Sequence, residues 1–118
     1  GTAGERFTLL SGEDPSALGF CAQGGAGVIS VTANVAPEAM ANMVAAITEG
    51  RVEDARAIDA TLAPLHRAMF VSPSPGPAKY ALSRLGLCQP DVRLPILPPD
   101  QAAKTVIDDA LRTAGLVD

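Results

Sequence analysis

The chain is poor in aromatic residues: no tryptophan, one tyrosine (Tyr80) and three phenylalanines (Phe7, Phe20 and Phe70). Single-stranded nucleic acids are held on aromatic platforms beside basic side chains. With so few rings and a formal net charge of -4, a phosphate-backbone partner is disfavoured. Two cysteines, Cys21 and Cys88, and one histidine, His66, are too few for a zinc site of Cys and His ligands. The cysteines form no CxxC pair and are expected to be buried free thiols rather than a disulfide. No apolar run approaches the length of a membrane span. The first six residues, Gly1 to Arg6, lack the charged-then-apolar layout of a signal peptide. Together these features lead us to expect neither a membrane nor a nucleic-acid partner. An initiator methionine is also lacking, which fits a chain processed or cut from something longer. Lysine is nearly absent too, with Lys79 and Lys104 the only two.

What remains is an ordinary globular composition, 47% apolar and 19% charged over 118 residues, enough for one domain at most. Phe7 to Leu10 is a short apolar strand candidate, ended by Ser11-Gly12. Ser11 or Asp14 can cap the following helix, and Pro15 suits its first turn, where a missing N–H costs nothing. That helix is expected to run to about Gln23, with Leu18, Cys21 and Ala22 on one face, and Gly24-Gly25 ends it. Val28 to Val31 is the second strand candidate. It is a nearly continuous apolar run, which indicates burial on both faces as in a parallel sheet. Its C-terminal end turns abruptly polar, Ser30-Val31-Thr32-Ala33-Asn34, as strands do at the active face of parallel α/β proteins.

Pro37 opens the next helix, whose Met40, Met43, Val44 and Ile47 follow the i, i+3, i+4, i+7 rule, and Gly50 stops it. Residues 51–70 make a longer helix in which Ala55, Ile58, Leu62, Leu65 and Met69 form one narrow seam, and Pro64 predicts a kink. The run Ser72 to Pro77 reads as a rigid turn, followed by a helix from Pro77 through Leu85 that Gly86 stops. Gln89 to Pro99 crosses the surface without regular structure. Asp100 caps a last helix, whose Ala103, Val106, Ile107, Ala110 and Leu111 are expected to face inward, and Gly115 ends it. Both strands read as central rather than edge strands. Two strands cannot cover their own edges, so further strands are expected from another segment or subunit.

Leu9-Leu10-Ser11-Gly12-Glu13-Asp14, followed by Gly24-Gly25-Ala26-Gly27-Val28-Ile29-Ser30-Val31-Thr32-Ala33-Asn34-Val35, resembles the last two barrel strands of the dihydrodipicolinate synthase family. Pro64-Leu65-His66, Phe70, the Pro73, Pro75, Pro77 and Lys79 series, and Val92-Arg93-Leu94-Pro95 resemble that family's C-terminal helices. The Val-Ile-Ser-Val-Thr-Ala-Asn-Val wording favours the synthases over the N-acetylneuraminate lyases of the same superfamily. The resemblance implies an α/β fold: the last two strand-helix units of a (β/α)8 TIM barrel over residues 1–50, and a helical region over residues 51–118. It implies a cytoplasmic lyase of lysine and diaminopimelate biosynthesis. In that reaction pyruvate forms a Schiff base with a lysine amine, and its enamine adds to aspartate semialdehyde. No cofactor is implied, and a homotetramer is.

In that family the reactive lysine ends barrel strand six, and the proton-relaying tyrosine, its threonine partner and a carboxylate-binding arginine lie further upstream. None of these positions falls within the matching segments, so the chain alone is expected to be inactive, with no catalytic residue of its own. Lys79 matches a structural lysine of the family. Two substrate contacts carry over. Gly12 matches the glycine beside the Schiff base, where a side chain would crowd the keto acid. Ile29 matches the isoleucine whose main-chain carbonyl faces the pocket. Glu13 departs from the family's usual aspartate and keeps its charge.

Other features read as structure. The glycines 24–27 end a helix and precede a strand, the reverse of a phosphate-binding loop. Asp108 and Asp109 point different ways and read as a solvated helix face. His66 lacks a nucleophile motif and reads as a packing or surface residue. Two rival functions stay open at this point: an aldolase of the same superfamily acting on a sugar-derived keto acid, and a non-catalytic helical module that uses the Ala55 to Met69 seam as a partner surface.

Overall fold

A computed structural model describes Gly4 and residues 6–118. Two strands, β1 (Leu10–Ser11) and β2 (Gly27–Val28), flank helix α1 (Ala17–Ala22). They pair in parallel, Leu10 with Gly27 and Ser11 with Val28. The ladder extends one bond beyond each end, Ala26 N–H to the Leu9 carbonyl at 2.9 Å and Ile29 N–H to the Ser11 carbonyl at 2.8 Å. Both strands are shorter than the apolar runs that announce them. Leu9, Leu10 and Ile29 are exposed by 54%, 50% and 72%, so β propensity here finds no facing layer to pack against.

After β2 the chain makes a 3-10 turn (Thr32–Asn34) and enters α2 (Pro37–Thr48), with Pro37 in its first turn. Gly50, at φ +79°, lets the helix close on itself. The N–H of Gly50 bonds the Ile47 carbonyl and that of Arg51 the Ala46 carbonyl, so two otherwise unpaired carbonyls are satisfied. Helix α3 (Val52–Ala68) runs on through Pro64. Helix α4 (Gly76–Arg84) follows the proline-rich turn, and α5 (Gln101–Thr113) follows an irregular stretch. Asp100 caps α5 as its sequence requires, its carboxylate accepting the Ala103 N–H at 2.8 Å.

The core sits among the helices. α3 packs on α2 on one side and on α5 on the other. Its seam residues Ala55, Leu62, Leu65 and Met69 are buried together with Met40, Met43, Ile107 and Leu111, and Ile58 is half-buried. Helix α4 is pinned to α5 by polar groups. The Tyr80 hydroxyl donates to the Asp108 carboxylate at 3.1 Å, and Arg84 Nε donates to it at 2.9 Å. Burial, followed by the Asp108 carboxylate, pushes the Tyr80 phenol up.

Four expectations need correction. Asp108 is not a solvated helix face, because it joins two helices; only Asp109, paired with Arg112 on an exposed turn, is one. Val106 is 45% exposed, because it lines an open groove beside Pro64 and Arg67 of α3 instead of entering the core. Cys88 is exposed, and only Cys21 is buried, its thiol pushed up by desolvation; both are free. The cap expected from Ser11 or Asp14 does not form on α1, which begins at Ala17 behind Ser16 with no side-chain cap bond. Asp14 is engaged elsewhere.

Candidate functional site

Two loops leave the C-terminal ends of the parallel strands side by side, and in parallel α/β folds that edge carries the ligand site. Gly12 lies just past β1. A Cβ built on it meets no atom within 4 Å, so nothing among the described residues forbids a side chain there. Ile29 lies just past β2, held by its N–H to Ser11, with its side chain largely in solvent. Its carbonyl takes no hydrogen bond from the described residues. The Ser11–Ile29 bond therefore brings the two sequence-predicted contacts to one edge.

The glycines before β2 act as expected. Gly24, at φ +103°, turns the chain out of α1, and the Gly25 N–H bonds the Phe20 carbonyl. A Cβ on Gly25 would stand 2.1 Å from the Phe20 ring. This is a helix stop under an aromatic lid. It is no phosphate cradle.

Beneath the two loops lies a polar cluster. Asp14, 4% exposed, turns its carboxylate away from α1 and across to the turn after β2. One oxygen accepts the N–H groups of Val31 and Thr32, each at 3.0 Å. The other accepts the Ser30 hydroxyl. The Ser30 oxygen in turn accepts the Ala33 N–H at 2.8 Å. The free donors at the start of the 3-10 turn are thus met by a residue from the neighbouring loop. Thr32 is fully buried, and its hydroxyl meets Nδ1 of His66 at 2.8 Å.

His66 is 2% exposed. Desolvation holds its imidazole below the ordinary histidine value, outweighing Asp14 and Asp59, which pull it up. Its Nε2 lies 3.9 Å from Asp59 Oδ1, and neither atom has a hydrogen-bond partner among the described residues. The sequence allows His66 a packing role but does not name its partner, Thr32. One signal was available. Position 66 follows Leu62 by four residues on the buried side of α3, so its ring had to be buried and needed a polar group.

Neither lysine has the surroundings of a reactive amine. Lys79 sits in the opening turns of α4, and Lys104 lies over the Tyr80 ring, 5.6 Å from its centre. Tyr80 belongs to the α4–α5 contact. The described residues hold no cluster of three or more metal-ligating side chains, and no helix is long and apolar enough to cross a membrane. A shallow groove of about 350 Å³, lined by Leu10, Gly27, Val28, Met40 and Val44 among others, runs along β2 and α2.

Comparison with known proteins places this arrangement. The profile of the dihydrodipicolinate synthetase family matches residues 1–114. A 4-hydroxy-tetrahydrodipicolinate synthase of Hyphomonas neptunium is 66% identical over 112 residues, covering 95% of this chain and 38% of that protein. Among solved structures, a monomeric dihydrodipicolinate synthase variant matches with a TM-score of 0.94 at 34% identity, covering 98% of this chain and 39% of that one. The chloride-inhibited dihydrodipicolinate synthase of Acinetobacter baumannii, complexed with pyruvate, matches with a TM-score of 0.89 at 33% identity, over 95% of this chain and 38% of that one. The chain thus spans about two fifths of the length of the proteins it matches. The fold is two strand-helix units of a TIM barrel and their helical extension.

Proposed function

The chain belongs to the dihydrodipicolinate synthetase family, and from that premise we propose that it is the C-terminal part of a 4-hydroxy-tetrahydrodipicolinate synthase. The whole enzyme is a cytoplasmic lyase that condenses pyruvate with aspartate semialdehyde on the route to diaminopimelate and lysine. Residues 1–50 supply its last two barrel units, and residues 51–118 its helical region. A lysine amine outside this chain adds to the pyruvate carbonyl, water leaves, and the resulting imine loses a methyl proton to give the enamine nucleophile. This part holds no reacting group. It contributes the floor of the pyruvate site, the open face of Gly12 and the carbonyl of Ile29.

One observation carries the reading. Gly12 and the Ile29 carbonyl, unused among the described residues, share the C-terminal edge of a parallel strand pair, beside space that the described residues leave empty. The open groove along β2 and the exposed Leu9, Leu10 and Ile29 fit neighbouring barrel strands, supplied by the rest of the enzyme, as the covering layer. No cofactor takes part in the scheme, and assembly as a homotetramer is part of the proposal.

The test is trapping with borohydride in the presence of pyruvate, read by mass spectrometry. The chain alone is expected to gain no adduct, and the whole enzyme to gain one reduced pyruvate on a lysine outside these residues. A reduced adduct on Lys79 or Lys104 would overturn the proposal.

A further inference from the structure

We propose that Asp14, Thr32 and His66 are positioning residues that lock the Gly12 loop to the Ile29 loop, and so set the shape of the pyruvate site. The inference rests on the function proposed above and adds residues to its site.

The backbone ladder cannot do this work. Its last bond joins Ser11 to Ile29, and beyond it the two loops share no main-chain hydrogen bond among the described residues. Asp14 supplies the missing ties. It stands two residues past Gly12 and grips Ser30, Val31 and Thr32, the three residues that follow Ile29. Its charge is met by two peptide N–H groups and a hydroxyl, donors fixed by the turn they belong to. A carboxylate in this place holds both loops at once, whereas a helix cap would hold only its own.

Thr32 passes the constraint down to the helices. Its N–H is fixed by Asp14 and its hydroxyl by His66. The tautomer follows from the other ring nitrogen. Nε2 faces the Asp59 carboxylate at 3.9 Å. A proton on Nε2 makes that approach attractive, whereas a bare lone pair would face another acceptor. Nδ1 is therefore the acceptor, and the Thr32 hydroxyl donates to it. The loop at the ligand edge is thereby hung on α3, which packs on both α2 and α5.

The experiment uses the whole enzyme containing this chain. Thr32→Val keeps the shape and removes the donor, while Thr32→Ser keeps the donor. Thr32→Val is expected to raise the KM for pyruvate by about tenfold with a smaller change in kcat, as loss of a buried hydrogen-bond partner implies. Thr32→Ser is expected to restore it. Asp14→Asn turns an amide NH2 or a single oxygen toward donors that need a carboxylate. Hydrogen exchange at the Val31 and Thr32 amides is then expected to accelerate, with a matching rise in KM.

An unchanged KM in Thr32→Val, or equal losses in the Val and Ser variants, overturns the proposal. If Asp14→Asn fails to fold, the two Thr32 variants decide the matter alone. Borohydride trapping of the unsubstituted enzyme separates the two ideas. No pyruvate adduct there sinks the pyruvate reading, and amide exchange still reports whether Asp14 clamps the loops.

Discussion

The helical half of the molecule and the strand half are held together by different means. From α2 onward, apolar side chains close on one another, and Met43, Leu65, Ile107 and Leu111 lose all contact with solvent. Around β1 and β2, Val28 packs on the core but Leu9, Leu10 and Ile29 are exposed, and the order of the two loops depends on a few hydrogen bonds and the Asp14 carboxylate. Burial is non-directional and tolerates small shifts, whereas a short polar bond fails when a loop moves by an ångström. The half that needs geometric accuracy is the half built from directional bonds. The half that needs bulk stability is built from burial.

The contrast can be tested by substitution, beginning where the largest loss is expected. Leu65→Ala, in the centre of α3, should cost about 2–5 kcal/mol in chemical denaturation, the range for a buried leucine that leaves a cavity. Asp100→Ala removes the cap of α5 and should cost about 0.5–2 kcal/mol by the same measurement.

The pH dependence of stability should be gentler. His66 is held below its ordinary value of 6.5 by burial, so the unfolded chain binds a proton that the folded chain resists. Its contribution is complete above that value and is lost as pH falls through the folded value. Asp14 and Asp59 oppose the effect and Arg67 adds to it. Denaturation midpoints should therefore fall on acidification below neutrality, and His66→Gln should flatten the slope. The smallest effect belongs to Leu10→Ala, half-exposed on β1, which should change the stability of the chain by less than about 0.5 kcal/mol. In the whole enzyme that same substitution should cost several times more. Equal costs in both settings would refute the view that neighbouring strands cover this face.

Helical periodicity was the most legible property of the sequence. Prolines at helix starts, glycines at helix ends and the 3–4 spacing of the seam located α2, α3, α4 and α5 to within a few residues. These signals are local, and the chain that produces them also satisfies them. The strands were legible as apolar runs but not in length, because strand length depends on the pairing partner. Gly12 and Ile29 came from the resemblance to known synthases. The Asp14–Thr32–His66 cluster was not read. Asp14 stands where a local cap was the simplest account, and its true partners are 16 to 18 residues away. Long-range polar pairing leaves no periodic trace. Val106 and Cys88 were misplaced for a related reason, since spacing says which residues share a face and not whether anything covers it.

The two cysteines give this division of labour a time axis. Cys88 is exposed in the irregular stretch between α4 and α5, and Cys21 is buried in α1 with its thiolate disfavoured. A thiol reagent will consume Cys88 at once and reach Cys21 only when α1 opens. Without any substitution, the slow labelling phase is a clock for breathing in the strand half. Its rate, read with and without the remainder of the barrel, measures how long the edge that carries Gly12 and Ile29 stays in place between openings.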